Sequence, residues 1–247
     1  MATTGNSSPV FSNQSGPHPD LERVVLRHAR AEWRKPLARF SEEVWRAVAP
    51  LLEGSPRIEL DSGCGTGLST LALARAAAAS GRGGTVVGAD RSPARLGRGL
   101  RSVPGAEPLA LDAGFAARAT IKGARPAQLV LARAELSDFW RLFLASGFRA
   151  EKHWILYPNP WPRGEHLMRR WHGHPVFPLL PRLAPETELR TNWRIYAEEF
   201  ARAWELLGLP RPEVERFEVD PAAALTPFER KYALSGHELW RVRCAGD

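Results

Sequence analysis

The chain has little cysteine, little lysine and no long apolar run. Two cysteines in 247 residues, Cys64 and Cys244, are too few for a disulfide framework, and neither has a C-x-x-C partner for zinc. A reducing compartment, the cytoplasm, is therefore expected. Arginine breaks the longest apolar stretches within a few residues, far short of the roughly 20 apolar residues that span a bilayer, which excludes a membrane protein. The first twenty residues hold no Lys, no Arg and no apolar block; that argues against a secretory signal, and their Ser, Asn, Gly and Pro content reads as a mobile tail. Of the 34 basic residues only Lys35, Lys122, Lys152 and Lys231 are lysines, and against 27 acidic residues they leave a net charge of +7 and a pI near 10.1. Such a balance favours a polyanionic partner, nucleic acid first, although a GC-rich coding sequence produces the same arginine excess.

After the tail, Leu21, Val24, Val25, His28 and Ala29 recur at helical spacing among arginines until Pro36, the pattern of an amphipathic basic helix. A second helical pattern starts at Ser41, an N-cap residue, and sets Val44, Trp45 and Val48 on one side before Pro50. Residues 21–56 thus read as an N-terminal helical extension. From Arg57 onward, short apolar runs alternate with helical segments, the mark of a parallel sheet covered by helices. Seven strands are predicted near 57–60, 85–89, 129–133, 153–157, 187–191, 214–219 and 238–244, with helices over 68–79, 93–100, 137–145 and 194–207. No helix is expected between the last two strands, which suits an antiparallel pair. Residues 102–126 show no periodicity and read as a long connection.

Asp61 to Gly67 (DSGCGTG) follows the first strand and opens a helix, so backbone N–H groups and the positive helix end face a ligand above the strand. Gly63, Gly65 and Gly67 are spaced G-x-G-x-G rather than the G-x-G-x-x-G of dinucleotide sites. With an acid two residues before the first glycine, this favours S-adenosylmethionine over NAD: Asp61 would receive the ammonium group, and Asp90, ending the second strand, the ribose hydroxyls. Cys64 and Arg91 lie beside these carboxylates in sequence, with Cys64 read as filler rather than nucleophile. Ala134 and Glu135, after the third strand, are candidates for the adenine side. A ligand-free turn with Asp90 as a helix cap is the competing reading.

Residues 157–170 (YPNPWPRGEHLMRR) leave the fourth strand. Here the chain resembles the bacterial tRNA (guanine-N7)-methyltransferases, whose pattern is an aromatic, Pro, Asp, Pro, Trp, then a basic residue, a His and paired arginines. Pro158, Pro160, Trp161, Arg163, His166, Arg169 and Arg170 fit it, with Asn159 where the family has its catalytic-site aspartate. Residues 191–197 (TNWRIYA) resemble the family's Thr-Asp-Trp-x-x-Tyr-Ala segment, with Asn192 for the aspartate, and 226–229 (TPFE) its Thr-x-Phe-Glu segment. The resemblance implies a Rossmann-like, doubly wound, seven-stranded α/β methyltransferase domain over 57–247, mostly parallel with an antiparallel last strand. It implies S-adenosylmethionine as cofactor, with Asn159 as the catalytic-site residue lining it beside Asp61 and Asp90. It also implies that Arg163, Thr191, Asn192, Thr226 and Glu229 face the guanine of a tRNA.

Guanine N7 carries no proton, so its attack on a sulfonium methyl calls for alignment and charge stabilisation rather than a general base. His166, Arg169 and Arg170, with Trp171, His172 and His174 after them, suit phosphates and unstacked bases. A solvated basic face, or a metal site built from the three histidines, are alternatives; neither an acid nor a cysteine completes the latter. Three functions stand together: methyl transfer to tRNA guanine N7, methyl transfer to another RNA or a small molecule, and RNA or partner binding by a catalytically weak relative.

Overall fold

The computed structural model describes residues 5–112 and 114–246. Two helices come first, α1 (Leu21–Ala29) and α2 (Arg39–Leu52). The chain then divides into two compact units, one of residues 36–154 with 182–184, the other of the described part of 1–35 with 155–181 and 185–247. The predicted N-terminal extension is thereby shared: α1 falls in the second unit and α2 in the first.

The first unit is built on β1 (Ile58–Ser62), α3 (Leu68–Ala79), β2 (Gly84–Asp90), α4 (Pro93–Leu100), β3 (Glu107–Pro108), β4 (Ala116–Ile121), β5 (Ala127–Arg133) and α5 (Leu136–Ala145). β6 (Lys152–Leu156) closes it and leads into the second unit. β1 pairs parallel with β2 and β2 with β5. These strands are buried almost throughout, as parallel strands with both faces covered must be. α2 packs on α5 through Trp45, whose ring meets Phe139, Phe143 and Phe148 edge-on and whose Nε1 donates to Ser146 Oγ at 3.1 Å. Beneath the strands the Trp140 indole donates to Ser62 Oγ at 2.9 Å, and Ser62 stands 2.8 Å from His153 Nε2. Burial holds His153 neutral, its pKa down at about 3, so its ring nitrogen can accept the serine proton.

The second unit carries α1, the short α6 (Leu180–Leu183) at its margin, β7 (Glu186–Thr191), α7 (Arg194–Leu206), β8 (Val214–Phe217), α8 (Pro227–Leu234) and β9 (Leu239–Ala245). β9 runs antiparallel to both β7 and β8, as expected for the last strand. α7 buries Tyr196, Phe200 and Trp204; Phe177 meets the last two edge-on. The strand order is β3-β4-β5-β2-β1-β6-β7-β9-β8. No helix among the described residues is long and apolar enough to cross a membrane.

Four expectations need correction. The sheet has nine strands, not seven, because 102–126 contains β3 and β4; position 113 of that stretch lies outside the described residues. β4 runs antiparallel to β5 with Ala116, Ala117, Ala119 and Ile121 buried and Arg118 and Thr120 exposed. Alanine is a poor strand former and gives no strong alternation to read. Gly123 closes this hairpin where a Cβ would come within 2.6 Å of the Ala78 backbone. Secondly, a helix does separate the last two strands: α8 starts at Thr226, whose hydroxyl accepts the Glu229 N–H at 2.9 Å, with Pro227 in the first turn. Only Glu229 of its eight residues is buried, so no apolar stripe marks it. Thirdly, Ser41 lies inside α2 and accepts the Glu135 N–H at 3.2 Å, while the helix start at Ala38 is capped from afar by Asp138 Oδ2 at 2.9 Å. Finally, in the segment read as a mobile tail, residues 5–18 make specific hydrogen bonds within the second unit, whereas the first four residues lie outside the described ones.

Candidate functional site

In the first unit the glycine loop leaves the carboxyl end of β1. Gly63, Gly65 and Gly67 all have positive φ, of 83°, 60° and 74°, a conformation that favours glycine. Gly63 and Cys64 donate to Ala89 O at 2.8 and 3.1 Å, tying the loop to the end of β2. At Gly67, the cap of α3, a Cβ would come within 2.7 Å of Leu131. Only glycine lets the helix start this close to the sheet.

Asp61 and Asp90 converge on this loop. Asp61 is buried, and its Oδ2 accepts hydroxyl protons from Ser69 at 2.6 Å and Thr70 at 2.7 Å. Its Oδ1 is also buried but has no hydrogen-bond partner. Burial pushes its pKa up to about 6, against the two hydroxyls. An unpaired buried carboxylate oxygen at a glycine loop is suited to a cation that arrives with a ligand. Asp90 is differently placed: Oδ2 accepts from Gly65 N–H at 3.0 Å, and Oδ1 from Ser92 N–H at 2.8 Å and from Arg95 across an ion pair of 3.0 Å. It holds the loop and begins α4 while keeping lone pairs for hydroxyl donors. Arg91 pairs with Glu135 at 3.0 Å, and Ala134 donates to Asp90 O at 3.1 Å. Asp61, Asp90, Arg91, Ala134 and Glu135 therefore all gather at the carboxyl ends of β1, β2 and β5. Burial and the neighbouring carboxylates push the Cys64 thiol well above its usual range, which makes it packing rather than a nucleophile. A shallow depression of about 350 Å3, lined by Ser55, Thr85 and Gln128, lies at the opposite, amino ends of these strands.

In the second unit the segment 157–170 is anchored at two strained residues. Tyr157 and Trp161 adopt positive φ, of 52° and 45°, which bulky residues do only where surroundings enforce it. Tyr157 donates its N–H to Arg190 O at 2.8 Å and its hydroxyl to Glu229 Oε1 at 2.9 Å. The carbonyl of Trp161 accepts from Arg170 Nε at 3.1 Å and Nη2 at 3.0 Å.

Arg170 is consequently not a free arginine for RNA. It is fully buried, and besides Trp161 it donates to Arg163 O at 3.0 Å, to Glu199 Oε2 at 2.6 Å and to Gln14 Oε1, with the Trp193 ring 4.8 Å from its guanidinium carbon. Its donors are consumed inside the protein. His172 is buried too, with Nε2 2.7 Å from the same Glu199 oxygen, and His174 accepts the Val176 N–H. Among the described residues no group of His, Cys, Asp and Glu could hold a metal ion. Glu229 is likewise turned inward: it accepts from Tyr157, from Arg190 Nη1 at 2.9 Å and from Leu225 N–H at 2.6 Å. It holds α8 rather than facing a base, and Thr226 is its cap. Thr191 is buried and accepts the Trp193 N–H.

The remaining candidates are more open. Asn159, Arg163 and Arg169 are exposed; Arg163 pairs loosely with Glu165 at 3.8 Å, and the Arg169 guanidinium lies 4.8 Å from the Trp161 ring centre. His166 meets Trp161 edge-on. Asn192 is half-buried and its Nδ2 donates to His237 Nδ1 at 3.1 Å, while His237 Nε2 donates to Ser7 O at 3.0 Å. Sequence reasoning missed Ser69 and Thr70, although hydroxyls in the first turn after a glycine loop are a readable signal. It also missed Glu199, Gln14 and His237, whose roles depend on distant partners.

No protein-family profile matches the chain, and no curated protein matches it in sequence. Solved structures do match in fold. The 16S rRNA methyltransferase KamB superimposes with a TM-score of 0.54 at 15% identity, over 86% of this chain and 97% of that one. An antibiotic-related methyltransferase gives 0.52 at 13%, over 88% and 98%. A mutant 16S rRNA (adenine(1408)-N(1))-methyltransferase from Catenulisporales acidiphilia, solved with its cosubstrate SAM, gives 0.51 at 16%, over 82% and 91%. This chain therefore has the Rossmann-like methyltransferase fold, with nine strands.

Proposed function

We propose that the chain is a cytoplasmic S-adenosylmethionine-dependent methyltransferase acting on a base of structured RNA, with guanine N7 of tRNA as the acceptor that its motifs favour. The observation that carries the cofactor reading is the buried, unpartnered Oδ1 of Asp61 at the glycine loop. The methionine ammonium of S-adenosylmethionine is the complementary charge, and Asp90 has acceptor capacity left for ribose hydroxyls. Gly63, Gly65 and Gly67 keep side chains out of the ligand's way, and Arg91, Ala134 and Glu135 would border the adenine. When bound, the cofactor supplies a methyl group on a sulfonium.

On the acceptor side, no proton has to be removed from N7, so the chain's task is to orient the base and to stabilise the cationic product. The exposed amide of Asn159 can accept a hydrogen bond from a base but offers no charge. Arg163 and Arg169 are free to meet phosphates. The test is incubation with labelled cofactor and bulk tRNA, then nucleoside analysis of the product; labelled 7-methylguanosine is expected.

A second reading, methyl transfer to ribosomal RNA, is favoured by one observation. Glu229 is the only carboxylate that the acceptor motifs retain, and its oxygens are occupied inside the protein. Two of the fold relatives modify 16S rRNA. Labelled 16S rRNA with unlabelled tRNA selects this reading; RNA binding with transfer to neither selects a catalytically weak relative.

A further inference from the structure

The Thr-x-Phe-Glu segment places one large apolar ring in solvent. Thr226 and Glu229 are buried, but Phe228 between them is 52% exposed. Its covered side is not a casual contact. Phe228 stacks on Tyr232 one turn later, with centroids 6.1 Å apart and planes at 27°, and Tyr232 stacks on His237 at 5.1 Å and 16°. Tyr157 closes on Tyr232 at 5.5 Å. The result is a short ladder of π-faces with one end open. Its position is fixed from beneath by the Glu229 carboxylate, which binds Tyr157 and Arg190, and from the far end by the His237 bond to Asn192.

Charge completes the pattern. Arg230 and Lys231 stand on the same helix, both exposed, and neither makes an ion pair among the described residues. Lys231, three residues on, is the neighbour of Phe228 on the helix surface, whereas Arg230, two residues on, faces the other flank. An exposed aromatic face beside a cation has the composition of a single-stranded nucleic-acid platform, in which a base lies on the ring and the cation takes the backbone. A partner docking through apolar contact alone has no use for a stacked, oriented ladder. We propose that α8 is a stacking platform for one unpaired nucleotide of the RNA, with its base on the open face of Phe228 and an adjoining phosphate on Lys231. The platform rests on the RNA reading above, and it gives Thr226 and Glu229 a supporting role and Phe228 the contact.

The experiment is fluorescence anisotropy of the full chain with a labelled single-stranded RNA oligonucleotide, without cofactor. Phe228→Ala should weaken binding about 5- to 150-fold, the range for losing one base–aromatic stack, while leaving the salt dependence unchanged. Phe228→Trp should restore affinity and Phe228→Leu should not. Lys231→Ala should lower the logarithmic salt slope by about 0.7. Because Phe228 is exposed, its variants should match the wild type in thermal unfolding, which separates loss of contact from loss of fold. Full binding by Phe228→Leu identifies a merely apolar contact, and unchanged binding by Phe228→Ala means no contact; either overturns the platform. Absence of methyl transfer to every RNA defeats the enzymatic reading and leaves these binding results standing.

Discussion

Asp61 folds into a place where its charge has no partner, and this has a measurable consequence. Its pKa is pushed up to about 6 by burial, against an ordinary value of 3.8. A group raised in this way stabilises the fold below its ordinary pKa and withdraws that stability as pH rises through about 6. In full this corresponds to about 3 kcal/mol, of which roughly half is lost by pH 5 and nearly all by pH 7.5. Asp61→Asn removes the titration. Its new buried amide carries a cost of its own, but that cost does not vary with pH and cancels in the comparison. Chemical denaturation of both proteins from pH 5 to 7.5 should show the wild type losing about 1 kcal/mol relative to the variant. S-adenosylhomocysteine, which retains the ammonium group, should bind the wild type about tenfold more tightly per pH unit up to about 6, and this gain should be absent in Asp61→Asn. A stability difference that stays flat across the range refutes the unpaired buried carboxylate, and with it the argument for a cationic ligand group.

Other outcomes follow from the second unit. Glu199→Gln leaves Arg170 buried without its counter-charge and should lower the denaturant midpoint by the equivalent of about 3 to 5 kcal/mol. Although burial pushes the Glu199 carboxyl up, His172 and Arg170 bring it down to about 2, so the stability it confers is complete above the ordinary value of 4.5 and fades as pH falls toward 2. Arg163→Ala with Arg169→Ala should flatten the salt dependence of RNA binding by about 0.7 to 0.9 per phosphate contact without unfolding the chain, whereas Arg170→Ala should show up first in thermal stability. Asn159→Asp should raise guanine-N7 methylation about 10- to 150-fold if the tRNA acceptor is retained, measured as labelled 7-methylguanosine. Asn192→Asp should act more on apparent affinity than on turnover.

The parts of this fold that were legible from sequence are those set by local pattern. The strands read near 57–60, 85–89 and 129–133 carry short apolar clusters because β1, β2 and β5 are buried almost throughout, and the glycine spacing after β1 survives as three positive-φ turns. What escaped was set by partners far along the chain. β4, rich in alanine, is the exception: it becomes a strand by pairing with the adjoining β5. α8 has no apolar stripe because its one buried side chain is a glutamate. Ser41 resembles a cap, yet Asp138, a hundred residues away, supplies that function. The segment 5–18 has the composition of a loose tail, and composition does not reveal that Gln14 and His18 complete the coordination of Glu199.

The same distinction governs the acceptor motifs. A motif records that a charge is needed at a position, and an arginine needed by phosphate is written the same way as an arginine needed by a buried glutamate. Counting donors separates them. Arg170 has all three of its side-chain nitrogens bonded inside the protein, to Trp161, Arg163, Glu199 and Gln14, so moving it to a phosphate would strand Glu199 in the interior, at a cost no surface contact offsets. Glu229 is bound in the same manner by Tyr157, Arg190 and Leu225. Arg163, Arg169 and Phe228 have no such obligations. The residues with open valence, rather than those most typical of the motif, are therefore the ones through which RNA should be recognised under the proposed function.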